Sequence, residues 1–243
     1  MKQCTGDLLE SFYRQVLHGS SSDQGAEIEA YRKLLAKRTD QIPVKDWGAG
    51  EDGIPIDHRM AVVGKLAQKA SRGRKEGELL MRLVQTFQPE RILEFGTHLG
   101  ISGLYLLAGN PEVELTTMEG DPATAQIATE TFAQFDVAPR RFIGPFDRLL
   151  EQEVNLAELR PDLVFVDGNH RYEATVRYFE QLLPHVPAGA ILVFDDINWS
   201  PGMQMAWAEI IQHPQVSISI DLFWMGICFV KTQHPKKQVR FRF

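Results

Sequence analysis

The chain has 243 residues, of which 44% are hydrophobic and 24% are charged, and its formal net charge is −6. This length and composition predict a globular protein with one α/β domain and an appendage, or with two small domains. The acidic balance argues against a dominant nucleic-acid role, since phosphate binding needs concentrated lysine and arginine. No apolar run approaches the roughly 20 residues that a membrane-spanning helix needs.

The N-terminus and the cysteines indicate the compartment. The first fifteen residues carry charges where a signal peptide would have its apolar segment. The two cysteines, Cys4 and Cys228, offer neither a metal-binding spacing nor a disulfide framework. We therefore expect a reducing, cytoplasmic setting.

Residues 1–69 are predicted to form a helical extension with a lid loop. Apolar residues at helical spacing predict one helix that ends near His18 and a second helix around Ile28 and Leu35. A long loop rich in Gly, Pro and Asp follows at residues 40–57, and we interpret it as a mobile lid or a disordered segment. A third helix is predicted over residues 59–70.

Residues 70–243 alternate between helices and short apolar strands, which is typical of a Rossmann-like, doubly wound α/β fold. We predict a mostly parallel sheet of seven strands, in which a C-terminal hairpin supplies an antiparallel strand. Asp121-Pro122 and Ser200-Pro201 each predict the start of a helix. Such sheets bind ligands outside the carboxyl ends of their strands. The strands are predicted at residues 91–95, 114–118, 141–143, 162–166, 190–194, 217–223 and 226–231.

The turn after the first of these strands reads EFGTHLGIS and spans residues 94–102. Gly96 permits a close backbone approach to a ligand, and Gly100 lets the next helix begin against the strand. Glu119 ends the next strand, 23 residues after Gly96, where a carboxylate can accept both hydroxyls of a ribose. A dinucleotide-binding turn has the pattern G-x-G-x-x-G, which requires a glycine at the position of His98. The turn therefore disfavours a dinucleotide-dependent oxidoreductase and favours a cofactor whose anionic end is a carboxylate.

Residues 77–102 together with Met118-Glu119-Gly120-Asp121-Pro122 resemble the class I S-adenosylmethionine-dependent methyltransferases. The likeness is strongest to the catechol and caffeoyl-CoA type of O-methyltransferase and to related bacterial enzymes, and it covers residues 70–231. The resemblance implies that Phe146 and Asp147 flank the adenine, although Asp147 reads equally well as the cap of a helix at 148–151. The implied cofactor-binding residues are Glu94, Gly96, Thr97, His98, Gly100, Ser102, Glu119, Phe146, Asp147 and Asp167.

Three carboxylates, Asp167, Asp195 and Asp196, follow the fourth and fifth strands. Asp167 and Asp195 are 28 residues apart, one strand-helix-strand step, so both should emerge at the same edge of the sheet. A hard divalent cation such as Mg²⁺ would satisfy the three acidic groups. The metal-dependent O-methyltransferases have Asp, Asp and Asn here, so Asp196 departs from the pattern, whereas Trp199 keeps its expected place. Alternatively, Asp195 or Asp196 caps the following loop and Asp167 contacts only the cofactor.

His170 stands three residues after Asp167, where the resemblance places a catalytic lysine. Histidine suits the role of general base because its ordinary pKa of about 6.5 lets it be neutral at physiological pH. A purely structural histidine is the alternative. Among the tryptophans, Trp47 and Trp199 are predicted to wall a substrate pocket, and Trp207 is predicted to lie in the core.

The leading hypothesis is a methyltransferase that acts on a hydroxyl of a small molecule, with a divalent metal and His170 helping to deprotonate the acceptor. The alternatives are a metal-independent O- or N-methyltransferase of the same fold, and a catalytically silent cofactor-binding protein whose N-terminus recruits a partner. The basic segments 65–75 and 236–242 are predicted to be solvated faces. We therefore expect neither nucleic acid nor membrane as a partner, whereas the N-terminal helices could pair subunits in a homo-oligomer.

Overall fold

The computed structural model describes residues 8–45, 59–69 and 73–242. Its N-terminal part comprises helix α1 (Leu8–Ser11), which continues into a π-helix (Phe12–Leu17), helix α2 (Asp23–Leu35), strands β1 (Gln41–Val44) and β2 (Arg59–Val62), and helix α3 (Val63–Lys69). The helices predicted to end near His18 and to contain Ile28 and Leu35 are confirmed.

The prediction of a helix over residues 59–70 is wrong at its start. Residues 59–62 form β2, which pairs antiparallel with β1, and the helix begins only at Val63. No local sequence pattern indicates this strand, because its hydrogen-bonding partner lies far away in the chain, on the other side of residues 46–58, which are outside the described ranges. For the same reason β1 was predicted as part of a loop.

The rest of the chain alternates helices and strands as predicted, and each of the seven predicted strands is found within two residues of its expected bounds. In chain order the elements are α4 (Arg74–Phe87), β3 (Arg91–Phe95), α5 (Ile101–Gly109), β4 (Glu114–Glu119), α6 (Pro122–Gln134), β5 (Arg140–Ile143), α7 (Phe146–Gln152), α8 (Leu156–Leu159), β6 (Leu163–Val166), α9 (Tyr172–Leu182), β7 (Ile191–Asp195), α10 (Pro201–Gln212), β8 (Val216–Asp221), β9 (Met225–Val230) and β10 (Lys237–Arg240).

The central sheet has the strand order β10-β8-β9-β7-β6-β3-β4-β5. Strands β3 to β7 run parallel, and β9 runs antiparallel to both β7 and β8. This confirms a Rossmann-like, mostly parallel sheet with an antiparallel C-terminal strand. The predicted count of seven strands is wrong, because β10 adds an eighth strand parallel to β8. The basic segment 236–242, predicted as a solvated face, contains this strand, which is short and charged as edge strands often are.

Two predicted helix starts are confirmed in their atomic detail. The carboxylate of Asp121 accepts hydrogen bonds from the backbone N–H groups of Ala123 and Thr124 at the start of α6. The hydroxyl of Ser200 accepts one from the N–H of Met203 at the start of α10. In both helices proline occupies the first turn, where its missing N–H costs nothing.

The N-terminal helices pack against the sheet-covering helices α4 and α5. Phe12 and Val16 belong to the same hydrophobic cluster as Leu83, and Ile28 belongs to the cluster that contains Tyr105. The predicted domain division at residue 70, itself outside the described ranges, stays a prediction. No helix within residues 8–45, 59–69 and 73–242 is long and apolar enough to span a membrane.

Candidate active site

The glycine turn between β3 and α5 is built from residues with left-handed backbone conformations. Gly96 has a φ of +93°, His98 of +46° and Gly100 of +84°. A Cβ atom on Gly96 would lie 1.9 Å from the backbone oxygen of Asp167, which follows β6. The close backbone approach expected at Gly96 is therefore made by a neighbouring strand of the same sheet, and any larger residue would force the two strands apart.

Glu94, at the carboxyl end of β3, is completely buried. Its carboxylate accepts hydrogen bonds of 2.6 Å from the hydroxyls of Ser102 and Thr117. The hydroxyl of Thr97 is in turn hydrogen-bonded to that of Thr117. Burial raises the pKa of Glu94 to about 7, although both hydrogen bonds act in the opposite direction. The structure thus brings Glu94, Thr97 and Ser102 together and adds Thr117, which the sequence analysis missed.

Glu119 ties the end of β4 to the glycine turn. Its carboxylate accepts the backbone N–H of His98 at 2.6 Å and that of Asp121 at 2.9 Å. A carboxylate has about four acceptor sites, so these two bonds leave capacity for further hydroxyl donors. Burial raises the pKa of Glu119 and lowers the pKa of the His98 imidazole to about 4. His98 is therefore neutral at physiological pH.

A pocket open to solvent, with an empty volume of about 410 Å³, lies beside this turn. Among the residues that the structure describes, none of those lining this pocket is a lysine or an arginine. The lining residues are Gly77, Leu80, Gly96, Thr97, His98, Leu99, Ile101, Ser102, Tyr105, Phe165 and Asp167.

Phe146 and Asp147 lie in the first turn of α7, and their side chains have different surroundings. The Phe146 ring packs edge-to-face on Phe95, with 5.4 Å between the ring centroids. Asp147 instead forms a double ion pair with Arg177, with contacts of 2.8 to 3.0 Å. The helix begins at Phe146 after Pro145, and no side chain caps it. The alternative reading of Asp147 as the cap of a helix at 148–151 is therefore wrong.

His170 lies near two carboxylates at the carboxyl edge of β6 and β7. Its Nε2 atom is 3.6 Å from Oδ1 of Asp167 and 4.0 Å from Oδ2 of Asp196. All three side chains keep about a quarter of their surface exposed. Asp195, the last residue of β7, is only 1% exposed. The structure thus places Asp167, His170 and Asp196 together at the predicted edge of the sheet.

Within the described ranges, no group of three or more His, Cys, Asp or Glu side chains is arranged to hold a metal ion. The imidazole of His170 lies beside Asp167 and Asp196. The metal site predicted at Asp167, Asp195 and Asp196 stays a prediction.

Trp207 and Trp199, two tryptophans with predicted roles that the structure describes, have different surroundings. Trp207 is buried and packs against Phe194, which confirms its predicted place in the core. Trp199 is 60% exposed and lies shortly after the carboxyl end of β7. Trp47, the other predicted pocket residue, lies outside the described residues.

Comparisons with known proteins agree on one family. Residues 93–197 match a family model described as "Methyltransferase domain". This part of the chain is therefore similar to a methyltransferase domain.

The curated relatives that the chain matches are named as O-methyltransferases. A relative from Mycobacterium sp. (strain JLS) is 36% identical over 94 residues, which are 38% of this chain and 43% of the relative. One from Mycobacterium tuberculosis is 31% identical over 127 residues, which are 51% of this chain and 57% of the relative. The chain thus spans about half the length of the curated relatives it matches.

Solved structures show the same fold over nearly the whole chain. The O-methyltransferase TomG from Streptomyces achromogenes, in complex with SAM and involved in tomaymycin synthesis, is 18% identical with a TM-score of 0.61. That comparison covers 95% of this chain and 99% of TomG. An O-methyltransferase from Bacillus cereus in complex with SAH is 17% identical with a TM-score of 0.58, covering 91% and 97% of the two chains.

The pocket beside the glycine turn also contains residues that the sequence analysis missed. Gly77, inside α4, faces Tyr105 of α5 so closely that a Cβ atom on Gly77 would lie 2.2 Å from the aromatic ring. The hydroxyl of Tyr105 donates to the backbone oxygen of Gly25 in α2. A glycine inside a helix is costly unless something approaches it closely, so Gly77 was the available signal.

Proposed function

We propose that this chain is an S-adenosylmethionine-dependent methyltransferase that methylates a hydroxyl group of a small molecule, with His170 as general base. The main observation behind this proposal is the position of Asp167. The backbone oxygen of Asp167 packs against Gly96 in the glycine turn, and the carboxylate of Asp167 lies 3.6 Å from His170. Cofactor turn and base are therefore joined through Asp167. The names of the relatives and the cofactors in the similar structures support the same activity.

The residues around the glycine turn fit S-adenosylmethionine, which supplies an electrophilic methyl group when bound. The buried carboxylate of Glu94 and the hydroxyl of Ser102 would hold the methionine end, and Glu119 has acceptor capacity for the ribose hydroxyls. The Phe146 ring offers an apolar face for the adenine. None of the described residues that line the pocket is a lysine or an arginine, and His98 is neutral, so the charge of this described lining suits a cationic cofactor.

The acceptor oxygen must be electron-rich to attack a methyl group, and His170 is placed to remove its proton. In its neutral form the imidazole accepts the hydroxyl proton on its unprotonated ring nitrogen, which leaves an imidazolium. The carboxylates of Asp167 and Asp196 lie 3.6 and 4.0 Å from its Nε2 atom, within ion-pairing distance, and stabilise that positive charge. Proton removal of this kind contributes roughly 10² to 10⁴ in rate in enzymes.

A divalent cation at Asp167, Asp195 and Asp196 is a separate part of the sequence-based hypothesis. The described side chains do not form a three-ligand group, so the proposed mechanism assigns no step to a metal. The effect of EDTA and of added Mg²⁺ on turnover decides between the two versions.

The test begins with ligand binding and ends with turnover. S-adenosylhomocysteine should raise the melting temperature, whereas NAD should not, and stabilisation by NAD alone would refute the proposed cofactor. Methyl transfer from S-adenosylmethionine is then measured over a panel of small hydroxyl compounds and matched amines. Methylation of the hydroxyl compounds is expected. Methylation of amines alone would favour an N-methyltransferase, and binding without transfer to any compound would favour a silent cofactor-binding protein.

A further inference from the structure

Phe223 lies in the turn between β8 and β9, and it has an unusual conformation. Its φ is +74°, in the left-handed region that bulky residues rarely adopt, and its side chain is 72% exposed. Such a conformation persists only when the surrounding structure holds it in place. The backbone N–H of Phe223 donates to Oδ1 of Asp221 at 2.7 Å. Its backbone oxygen accepts a hydrogen bond from the side-chain amide of Asn198.

The C-terminal strand β10 supports this turn from one side. Arg240, in β10, forms contacts of 2.7 and 2.9 Å with Oδ2 of Asp221, while Oδ1 of the same carboxylate holds Phe223. Asp221 is only 8% exposed, and hydrogen bonds to ionised groups are stronger than those between neutral groups. Because β10 runs parallel to β8 with Arg240 opposite Asp221, strand pairing itself sets this contact.

The hydrogen bond from Asn198 links Phe223 to the sheet edge that carries His170, at the carboxyl ends of β6 and β7. Asn198 is part of a turn at residues 196–199, which the N–H of Trp199 closes by donating to the backbone oxygen of Asp196 at 2.9 Å. Asp196 has a φ of +54°, and its carboxylate lies 4.0 Å from His170. The buried side chain of Ile197 anchors the turn from beneath. The bond from Asn198 to Phe223 anchors it from the side of β8 and β9.

We propose that β10 is a positioning element of the acceptor site. Through Arg240, Asp221 and the backbone of Phe223, it holds the turn at 196–199 and so fixes the Asp196 carboxylate beside His170. The inference deepens the proposed function and rests on it for the meaning of the site, although its central measurement needs no turnover. Asp221, Asn198 and Arg240 are positioning residues in this scheme, since they act through the turn.

Hydrogen exchange of the Trp199 amide, measured by NMR on the complex with S-adenosylhomocysteine, tests the proposal. Exchange should be at least tenfold faster in Asn198→Ala and Asp221→Ala than in the unaltered chain. The double variant should exchange no faster than the faster single variant, because both changes break one chain of bonds. The control is Lys237→Ala, because Lys237 lies in the same strand but takes no part in that chain of bonds. Its Trp199 exchange rate should stay within twofold of the rate in the unaltered chain.

Two further variants guard against a simple folding defect. Asp221→Asn keeps an oxygen for the Phe223 N–H but loses the ion pair with Arg240, so its exchange should be intermediate. Arg240→Ala should speed up exchange of the Trp199 amide. Arg240→Lys, which keeps a positive charge, should retain most of the protection of the unaltered chain. Unchanged Trp199 exchange in Asp221→Ala and Arg240→Ala, with only a lower melting temperature, would overturn the proposal, since β10 would then be purely structural.

Turnover gives a second readout that separates this inference from the proposed function. In Asn198→Ala and Asp221→Ala, kcat/KM for a methylated hydroxyl compound should fall at least tenfold, while the Kd for S-adenosylhomocysteine stays within twofold. A chain that transfers no methyl group at all would contradict the proposed function. The exchange measurement would still decide whether β10 positions the turn at 196–199.

Discussion

The backbone oxygen of Asp167 lies 1.9 Å from the point where a Cβ atom of Gly96 would stand. Strand β3 and the end of β6 therefore meet at a residue without a side chain, and the glycine turn takes its position from that contact. The N–H of Gly96 also donates to the backbone oxygen of Met118 at 2.9 Å. Gly96 is thus fixed between the two strands that flank β3.

Replacing Gly96 with alanine should therefore damage both stability and cofactor binding. We expect a loss of about 2–5 kcal/mol in the free energy of unfolding, from the strained φ together with the steric overlap. Gly100→Ala is the matched control, because Gly100 also has a left-handed φ but its nearest Cβ neighbours lie at 3.3 Å. It should lose only about 1–2 kcal/mol. Urea unfolding measures both values, and equal losses would show that the overlap with Asp167 is unimportant.

Glu94 should make stability fall as the pH rises. Burial raises its pKa from 4.5 to about 7, so the folded chain holds this proton more tightly than the unfolded chain. Below pH 4.5 this carboxyl makes its full favourable contribution to the free energy of unfolding, about 3 kcal/mol. That contribution is lost as the pH rises to about 7. Urea unfolding without cofactor at pH 5 and pH 8 should show this loss in the unaltered chain and not in Glu94→Gln. Parallel changes in the two proteins would contradict the buried-carboxylate interpretation.

His98 should have the opposite effect. Burial lowers the pKa of its imidazole from 6.5 to about 4, so the unfolded chain takes up this proton first. Its contribution to stability is full above pH 6.5 and is lost as the pH falls through 4. His98→Asn tolerates the left-handed φ and removes the titrating group. Between pH 7 and pH 4 this variant should lose less stability in urea than the unaltered chain, and an equal loss would refute the prediction.

His170→Ala should lower kcat by a factor of about 10² to 10⁴, because the acceptor proton then has no base. Binding of S-adenosylhomocysteine should stay within twofold, since His170 is not among the residues that line the cofactor pocket. His185→Ala, beyond the far end of α9, is the control and should keep the normal rate. Turnover that is unchanged in His170→Ala from pH 6 to pH 9 would exclude the general-base role.

The metal hypothesis is tested on the same assay. Since the proposed mechanism assigns no step to a cation, turnover should survive treatment with EDTA. If EDTA abolishes turnover and Mg²⁺ restores it, the sequence-based prediction of a cation at Asp167, Asp195 and Asp196 gains support. In that case Asp195→Ala should abolish the effect of magnesium.

Phe146 and Asp147 should contribute unequally to cofactor binding. Asp147→Ala is expected to change the Kd for S-adenosylhomocysteine less than twofold, because Arg177 already engages both oxygens of its carboxylate. Phe146→Ala should weaken binding roughly tenfold through loss of an aromatic face. Calorimetric titration measures both constants. A larger effect at Asp147 than at Phe146 would mean that the ion pair opens when the cofactor binds.

The sequence predicted the features that depend on local patterns. The strands that carry Glu94, Glu119 and Asp167 are short apolar runs between turn residues, so their position followed from the chain alone. Thr117 was missed because it reaches Glu94 through strand register, in which the two residues lie side by side in β4 and β3. Sequence spacing does not reveal register. The pairing of Asp147 with Arg177 was hidden for a similar reason, since the two residues lie on different helices.

The two outermost strands of the sheet also limit how the protein meets copies of itself. Strand β5 exposes Arg140 and Arg141 at one edge, and β10 exposes Lys237 and Arg240 at the other. Each edge strand has only four residues. Two molecules that approached edge to edge would bring cations together along a very short ladder. Short, charged borders of this kind protect natural sheets from aggregation through open hydrogen-bonding groups.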